Sequence, residues 1–476
     1  MKNWIAPGIS QNAIAHFFSE NRAHGNDIHT LGIWENDACA ALVAAHPYDC
    51  ADKREVYSLS KTFCATAIGM LCDAGLLSVE DRIVDLFPEE VPAQPSAHLL
   101  AMRVRHVLSM NTGHAGCVFA HMAATPDAVR AFFAEPLPYE PGTHFAYNTG
   151  ATFLLSLIVT KITGMTLLDY LQSHLFCYLG IEHAHWTNTQ SGANEGGTGI
   201  YVSCEDILKL GQLYLHHGVY HGKRLLSEAW IAAASSAVSD NRNNGTPDWT
   251  CGYGYQIWLN SFGGYRGDGA AGQLMVILPK EQVIVAVQAE CLDTQMELTL
   301  VDQLVRSLHR TDDATCAMLS YPPCSGAVAP LSNDGVWYRA DKNPMGITTF
   351  SLSCRENILC FTFSQGDTVQ TISAANGAYL PFSFTGTGMM PKLIGLMRND
   401  FPELLRGYAS FEQCGEAVKM VLRLTNSPRT LTYLFRLDGD TATVQIDATC
   451  GCMPAECRVL TGRAIRENAH KNKDIL

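Results

Sequence analysis

Apolar and polar positions along the first 310 residues follow two different periods, which predicts a mixture of helices and strands. The spacing of amphipathic helices favours helices at 12–21, 100–110, 126–134, 153–163, 203–216 and 296–309. Short alternating or continuous apolar runs favour strands at 30–34, 38–45, 252–258, 273–278 and 282–288. Because strands lie at both ends of this region, we expect an α+β fold whose first and last strands share one sheet.

Beyond residue 333 the pattern is mainly that of strands. The preceding stretch, from 311 to 333, is rich in Asp, Ala, Pro and Ser without periodicity, which indicates a linker. Runs at 349–354 and 358–364, and at 431–437 and 441–446, are typical of hairpins; Asp438-Gly439 joins the second pair. One helical interruption is expected at 392–398. We therefore predict domains at 1–311 and 334–476, with a linker at 312–333, and an antiparallel, barrel-like fold for the second domain.

Composition and charge exclude several classes of function. The 476 residues are 47% hydrophobic and 17% charged, as in globular proteins. A net charge of -13, without any Lys/Arg-rich run, argues against nucleic acid and anionic membranes as partners. No apolar segment follows Lys2, and no stretch approaches the length of a bilayer span. We therefore expect a cytoplasmic protein.

The cysteines point to a reducing compartment. There are 17, scattered without regular spacing, which favours free thiols over a disulfide framework. The densest group, Cys450-x-Cys452 with Cys457 and His470, misses the usual Cys-x-x-Cys spacing of zinc sites. We expect no metal and no cofactor.

A serine and a lysine three residues apart stand at the start of a further predicted helix, which is apolar. Residues at i and i+3 share a helix face, so Ser58 Oγ and Lys61 Nζ can meet. The apolar run 62–71 would bury the lysine, and desolvation lowers the pKa of an amine. A neutral lysine can accept the serine proton and create a nucleophile. The same four residues also fit a helix cap followed by a solvated lysine, so the neighbouring segments must decide.

Those segments resemble, in order, the class C-like branch of the serine β-lactamase and penicillin-binding protein superfamily, which includes esterases, D-aminopeptidases and amidases. The resemblance covers about 5–310 and rests on VYSLSKTF at 56–63, GLLSVEDRI at 75–83, RHVLSMNTGH at 105–114, PGTHFAYN at 141–148 and GIYVSCED at 199–206. It implies an antiparallel sheet flanked by helices, with a helical subdomain. It also implies Ser58 as the acylated nucleophile, Lys61 as its base or proton relay, and Tyr147 as a proton shuttle. We expect the adjacent cation to lower the pKa of Tyr147.

The second motif departs from the family pattern. The family has Tyr-x-Asn, whereas here Tyr147 is followed by Asn148 and Thr149. Either Asn148 supplies the amide from a shifted position, or Thr149 replaces it.

The third motif departs further. Relatives carry Lys or His two residues before a glycine, but YRGDGAAGQ at 265–273 places Gly267 at that basic position. By strand alternation, Arg266 would point the other way unless the glycines bulge the strand. The backbone role of this segment survives, because the N–H groups of Ser58 and Ala270 are candidates for an oxyanion hole. Gly269 would let a substrate approach the backbone closely.

Other candidates for substrate contact are Asp268, which is either a turn former or a polar group facing the substrate, His114 in a polar loop, and Trp186 in a Gly-rich loop over the cleft. Loss of the basic residue weakens recognition of a substrate carboxylate. We therefore predict a serine hydrolase that cleaves an ester or a small amide through an acyl-Ser58 intermediate. A D-stereospecific peptidase or β-lactamase is the alternative enzyme, and a catalytically weak binding or sensor protein is the alternative from another class. The C-terminal domain is expected to shape or shield the cleft, or to form a homodimer.

Overall fold

A seven-stranded antiparallel sheet lies at the centre of the N-terminal unit. The computed structural model describes residues 3–310, 319–386, 403–449 and 458–465, and the chain divides into two compact units, Met1–Leu319 and Ser320–Leu476. The strands of the first unit are β1 (Trp4–Ile5), β2 (Asp27–Glu35), β3 (Ala38–Ala44), β4 (Arg54–Glu55), β5 (His185–Trp186), β6 (Ile200–Val202), β7 (Val219–Tyr220), β8 (Lys223–Arg224), β9 (Trp258–Leu259), β10 (Tyr265–Gly269), β11 (Gln273–Leu278) and β12 (Val283–Glu290). The large sheet has the order β1-β3-β2-β12-β11-β10-β9, so strands from both ends of the unit are neighbours.

Helices cover this sheet. They are α1 (Gln11–Ala23), α2 (Ser60–Asp73), α3 (Ile83–Leu86), α4 (Ala97–Ala101), α5 (Val104–Leu108), α6 (Phe119–Ala123), α7 (Ala128–Ala134), α8 (Thr149–Thr163), α9 (Leu167–Leu171), α10 (Cys177–Leu179), α11 (Cys204–Leu215), α12 (Glu228–Ala234) and α13 (Thr294–Ser307). Every residue of β11 and β12 is buried, so both faces of the sheet are covered there. Glycines allow α11 to approach closely: a Cβ on Gly211 would lie 2.7 Å from Ile284 Cγ2.

Two predicted elements differ from the structure because of contacts distant in sequence. The helix expected at 100–110 is broken at Met102, whose carbonyl accepts a hydrogen bond from Ile83 N. The strand expected at 252–258 is mostly a loop, and only β9 pairs with β10. Positive φ angles at Gly252 and Gln256 turn the chain there.

The second unit is an antiparallel barrel. Its strands are β13 (Trp337–Ala340), β14 (Ile347–Arg355), β15 (Ile358–Gln365), β16 (Thr368–Ala375), β17 (Leu380–Gly386), β18 (Glu403–Cys414), β19 (Ala417–Leu424), β20 (Thr430–Asp438), β21 (Thr441–Ala448) and β22 (Val459–Ala464). Neighbouring strands pair antiparallel except at the closure, where one parallel bridge between Ala375 and Ser410 joins β16 to β18 and completes a ring of nine strands, with β17 beside β18. Alternate residues point inward, among them Phe361 and Tyr433. The predicted fold class is confirmed.

Several other expectations concern segments at the edges of the described ranges. The predicted helix at 392–398 and the group Cys450, Cys452, Cys457 and His470 lie outside the described residues. Part of the expected linker packs on the barrel, since Cys324 N donates to Ser410 Oγ at 3.0 Å.

Across the described ranges no single helix is long and apolar enough to cross a membrane. Thr149–Thr163 and Leu167–Leu179 reach that length and hydropathy only when taken together, and the two helices are bent by 69° relative to each other.

Candidate active site

Ser58 lies in a tight turn that leads into α2. The turn is a 3₁₀ segment, Tyr57–Leu59, and Tyr57 has a φ of +45°, an uncommon angle for a residue with a side chain. The Ser60 hydroxyl fixes the turn by donating to Tyr57 O and accepting from Ile200 N. Ser58 stays partly exposed while its neighbours Leu59 and Ser60 are buried. The turn therefore presents one hydroxyl to solvent on a rigid backbone.

Lys61 is buried beside this hydroxyl. Its Nζ lies 2.9 Å from Ser58 Oγ, 3.2 Å from Thr149 Oγ1 and 2.7 Å from the carbonyl oxygen of Gly197. The residue is only 1% exposed, and burial lowers its pKa to about 7. A neutral amine has two N–H donors and one lone pair. Gly197 O and Thr149 Oγ1 can accept the two hydrogens, which leaves the lone pair for the Ser58 proton.

Tyr147 completes the group around Ser58. Its ring centroid lies 4.8 Å from Lys61 Nζ and 5.3 Å from the ring centroid of Trp258. Burial raises the pKa of Tyr147 above its ordinary value, and a hydrogen bond with Ser58 opposes this only in part. The expectation that an adjacent cation would lower this pKa is wrong, because removal of the phenol from water outweighs the other effects. Tyr147 is therefore suited to donate a proton rather than to accept one.

The structure distinguishes the two residues of the altered second motif. Asn148 is the N-cap of α8: its Oδ1 accepts from Gly150 N at 2.9 Å and from Val118 N at 3.1 Å, and its side chain is fully buried. Thr149, one residue later, contacts Lys61 instead. Of the two sequence alternatives, the geometry brings Thr149 and not Asn148 to the lysine.

Strand β10 packs directly on the Ser58 turn. A Cβ on Gly269 would lie 2.1 Å from Val56 O, and one on Gly267 would lie 2.3 Å from Leu59 Cδ1. Backbone atoms leave no space for a side chain at Gly269, which explains that glycine, whereas a side chain at Gly267 would require the side chains of Leu59 and Thr62 to move. In the described part of the chain, the backbone hydrogen bonds that lie outside helices and strands do not use the N–H of Ser58 or Ala270. Both groups therefore remain candidates for oxyanion donors.

The other residues of the third motif form a buried ion pair. Arg266 is fully buried, and its Nε donates to Asp268 Oδ2 at 2.8 Å. Its remaining donors bind Asn260 Oδ1 at 2.9 Å, Leu259 O at 3.2 Å and Asp248 O at 3.0 Å. The guanidinium therefore has a structural place within the protein, and it points away from the Gly267 face of the strand, as the alternation predicted.

Two residues that were candidates for substrate contact are buried in this structure. Trp186 Nε1 donates to Thr198 O at 2.7 Å and so holds the loop that carries Gly197. His114 lies 2.8 Å from Thr112 Oγ1 and packs on Phe132, and burial lowers its pKa to about 4. Neither side chain presents a surface to a substrate.

Sequence reasoning missed one functional group, the Gly197 carbonyl. The sequence predicted only a Gly-rich loop over the cleft, without a role at Lys61. A Cβ on Gly197 would lie 2.7 Å from Thr149 Cγ2, and Gly196 has a φ of +68°. The pair of adjacent glycines was the available signal, since it marks a close backbone approach. Because every residue has a backbone carbonyl, the sequence does not indicate which carbonyl binds a side chain.

This fold and site are those of the serine β-lactamase and penicillin-binding protein-like superfamily. The family model "Beta-lactamase" matches residues 43–309, more than half of the chain, and the chain belongs to that family. The 6-aminohexanoate-dimer hydrolase of Paenarthrobacter ureafaciens is 24% identical over 258 residues, 49% of this chain and 65% of that protein. Penicillin-binding protein 4* of Bacillus subtilis (strain 168) is 28% identical over 179 residues, 35% of this chain and 37% of that protein. The matches thus span less than two thirds of either relative.

The structural comparison agrees on the fold. The crystal structure of a putative β-lactamase from Bacteroides dorei DSM 17855 superimposes with a TM-score of 0.53 and 18% identity. The match covers 63% of this chain and 99% of that one. At this identity the likeness shows the fold alone, so the chemistry must be argued from the residues of this chain.

Proposed function

We propose that the protein is a serine hydrolase that cleaves an ester or a small amide through an acyl-Ser58 intermediate. The observation that carries the proposal is the set of three contacts made by Lys61, which suits a neutral amine next to a serine hydroxyl. Burial lowers the pKa of Lys61 to about 7, so a large fraction of the residue is deprotonated near neutral pH. Such a group can act as a general base.

Acylation follows from this arrangement. Lys61 Nζ takes the Ser58 proton while Ser58 Oγ attacks the substrate carbonyl carbon, and the carbonyl electrons move onto oxygen. The backbone N–H groups of Ser58 and Ala270 stabilise that negative charge. When the C–O or C–N bond breaks, the hydroxyl of Tyr147 donates a proton to the leaving group, and the Lys61 proton restores it. Lys61 is then the principal base and Tyr147 the proton donor.

Deacylation uses the same groups with water as the nucleophile. The neutral Lys61 takes a proton from water as the water oxygen attacks the acyl carbon. The Ser58–acyl bond breaks, Ser58 regains a proton, and the carboxylic acid leaves. Acyl transfer in two steps needs no group beyond those named.

The class of substrate is inferred from what the third motif lacks. Without a side chain at Gly267, a substrate carboxylate has no cation to bind at the position where relatives supply one. This favours simple esters and small amides over β-lactams. One relative is named as a hydrolase of the 6-aminohexanoate dimer, which supports a small amide as a substrate.

The test compares substrates on the purified full chain. We expect the wild type to hydrolyse p-nitrophenyl butyrate, with nitrocefin cleaved slowly or not at all. Ser58→Ala should lose at least ~10³-fold in kcat/KM, whereas Ser236→Ala, on an exposed surface, should match the wild type. Nitrocefin turnover exceeding ester turnover would favour a β-lactamase. Covalent capture of either probe without turnover would favour a binding or sensor protein.

A further inference from the structure

Gln256 is a buried residue that joins three helices beneath the candidate site. Its Oε1 accepts from Thr152 Oγ1 on α8 at 2.7 Å, and its Nε2 donates to Leu108 O at the end of α5 at 2.7 Å and to Val107 O at 3.3 Å. Its backbone carbonyl accepts from Thr62 Oγ1 on α2 at 3.2 Å. The residue is 2% exposed, so water does not compete for these partners. One residue thus ties α2, α5 and α8 together.

The backbone of Gln256 has a conformation that disfavours a side chain. Its φ is +60°, an angle that glycine adopts without steric cost, and Gly252 in the same segment has a φ of +113°. A buried side chain kept at such an angle indicates that the side chain itself has a role. Both hydrogens and the oxygen of the amide are used by protein partners, so this role lies in the hydrogen bonds between the helices.

The helices joined in this way hold the contacts of Lys61. Thr62 directly follows Lys61 in α2, and Thr152 lies one turn after Thr149 on the same face of α8. Gly197, whose carbonyl also binds Lys61, packs on α8: a Cβ there would lie 3.0 Å from Thr149 O and 3.2 Å from Thr152 Cβ. The distances from the lysine to both of these acceptors therefore depend on how α8 lies against α2.

We propose that Gln256 is a positioning residue that fixes α8 against α2 and so keeps the Thr149 hydroxyl and the Gly197 carbonyl within hydrogen-bonding distance of Lys61. The inference rests on the proposed acyl-Ser58 chemistry, in which Lys61 is the base. Gln256 acts through these groups and not on the substrate. A small displacement of a reacting group is enough to lower the rate, because proton transfer requires close and directed contact.

The first test is Gln256→Gly, which removes the amide and suits the positive φ, so the backbone can keep its path. For p-nitrophenyl butyrate we expect kcat to fall by about 10- to 100-fold, with KM changed by less than about 2-fold, because the residue does not bind substrate. Gln282→Gly is the matched control: this exposed glutamine has a φ of +56° and one side-chain hydrogen bond, to Pro279 O at 2.7 Å. The control should match the wild type.

The second test breaks the same connection from α8. Thr152→Val keeps the shape of the side chain without its hydroxyl, and kcat should fall by about 5- to 10-fold, whereas Thr152→Ser keeps the hydroxyl and should stay close to the wild type. Gln256→Gly and Thr149→Val disturb one contact of Lys61, so the double variant should lose less than the product of the two single losses. Equal activity of Thr152→Val and Thr152→Ser, or fully multiplicative losses, would overturn the inference.

The rate of fluorophosphonate labelling separates failure of the positioning role from failure of the chemistry. Ser58 Oγ attacks phosphorus, Lys61 takes the serine proton and fluoride leaves. If the wild type is not labelled at Ser58, the proposed acyl-serine chemistry fails and the inference fails with it. If Gln256→Gly is labelled at Ser58 as fast as the wild type, the positioning role alone fails. Thermal unfolding checks that Gln256→Gly is folded, and should it not be, the Thr152 pair decides.

Discussion

The two sides of the candidate site have diverged to different degrees. On the helical side, Ser58, Lys61 and Tyr147 are held as the proposed acyl transfer requires, although Thr149 stands where the family motif has asparagine. On the strand side, β10 keeps its backbone against the Ser58 turn but has no cationic side chain at Gly267. The difference teaches that contacts to the lysine can be kept after the motif changes, since Thr149 and a backbone carbonyl bind Lys61. On the strand side a single residue, Gly267, removes the cation that the family pattern places there.

The largest effect in this comparison is expected at Lys61. Lys61→Met should lower kcat/KM for an ester by about 10²–10⁴-fold, the usual contribution of a general base. Lys61→Arg should not restore activity, because a guanidinium stays protonated.

Because the unprotonated amine is the active form and the pKa of Lys61 is lowered to about 7, wild-type activity should rise as pH increases through about 7. An active Lys61→Arg enzyme, or a flat profile from pH ~5.5 to ~8.5, would show that another group is the base.

The backbone acceptor at Gly197 should be nearly as important. Gly197→Ala places a methyl group 2.7 Å from Thr149 Cγ2 and 3.0 Å from Thr149 O, so the carbonyl that binds Lys61 must move. We expect kcat/KM to fall by roughly 10- to 100-fold, as for other small misplacements near reacting groups. Gly326→Ala is the control, since nothing lies within 4 Å of its added Cβ. Wild-type activity in Gly197→Ala would mean that this carbonyl does not hold the lysine.

Thr149 should have a smaller effect. Thr149→Val keeps the shape of the side chain and removes one acceptor from Lys61 Nζ, so a loss of about 5- to 10-fold is expected, equivalent to one hydrogen bond. Thr149→Asn restores the residue type of the family motif and should retain more activity than valine. The measurement is ester hydrolysis at saturating and limiting substrate. If Thr149→Asn is the less active of the two, the hydroxyl has a role that an amide cannot fill.

Behind the strand side of the site, the α13 residue Glu297 should affect the stability of the fold rather than the reaction. This α13 carboxyl is buried beneath the β10–β11 turn, with Oε2 2.5 Å from where a Gly272 Cβ would lie. Burial raises its pKa to about 8. In the unfolded chain the pKa of Glu297 is 4.5, so between pH 4.5 and about 8 the folded state keeps a proton that the unfolded state releases. The free energy of unfolding therefore falls as pH rises through this range, by at most about 1.4 kcal/mol per pH unit.

Glu297→Gln should remove that slope. Thermal unfolding at pH ~5 and ~8.5 is the measurement, and the variant should gain most in Tm at the higher pH. The same pH dependence in both proteins would show that Glu297 does not titrate in this range.

Local signals in the sequence were sufficient for much of the fold. The helix predicted at 203–216 is α11, and it begins with a capping box in which Ser203 and Asp206 make both reciprocal hydrogen bonds. Strand β11 has the predicted bounds, because its continuous apolar run is buried on both faces. The helix break at Met102 could not be seen, since it depends on pairing with the segment that follows α2.

The part of the candidate site that depends on the spacing of residues along one helix could be predicted from the sequence. The contact between Ser58 and Lys61 follows from i,i+3 geometry. The choice between Asn148 and Thr149 depends on where α8 begins, and the pKa of Tyr147 depends on burial beside Trp258, more than 100 residues later in the chain. Such distant contacts decide protonation states, and no local pattern records them.

The central claim is that Ser58 is the residue that becomes acylated, and labelling with a fluorophosphonate tests it most directly. Intact mass measurement on the wild type should show a single adduct, and peptide mapping should place it on Ser58. Ser58→Ala should show none, while Ser236→Ala labels like the wild type. An adduct that persists in Ser58→Ala, or a wild type that hydrolyses esters without labelling at Ser58, would contradict the account.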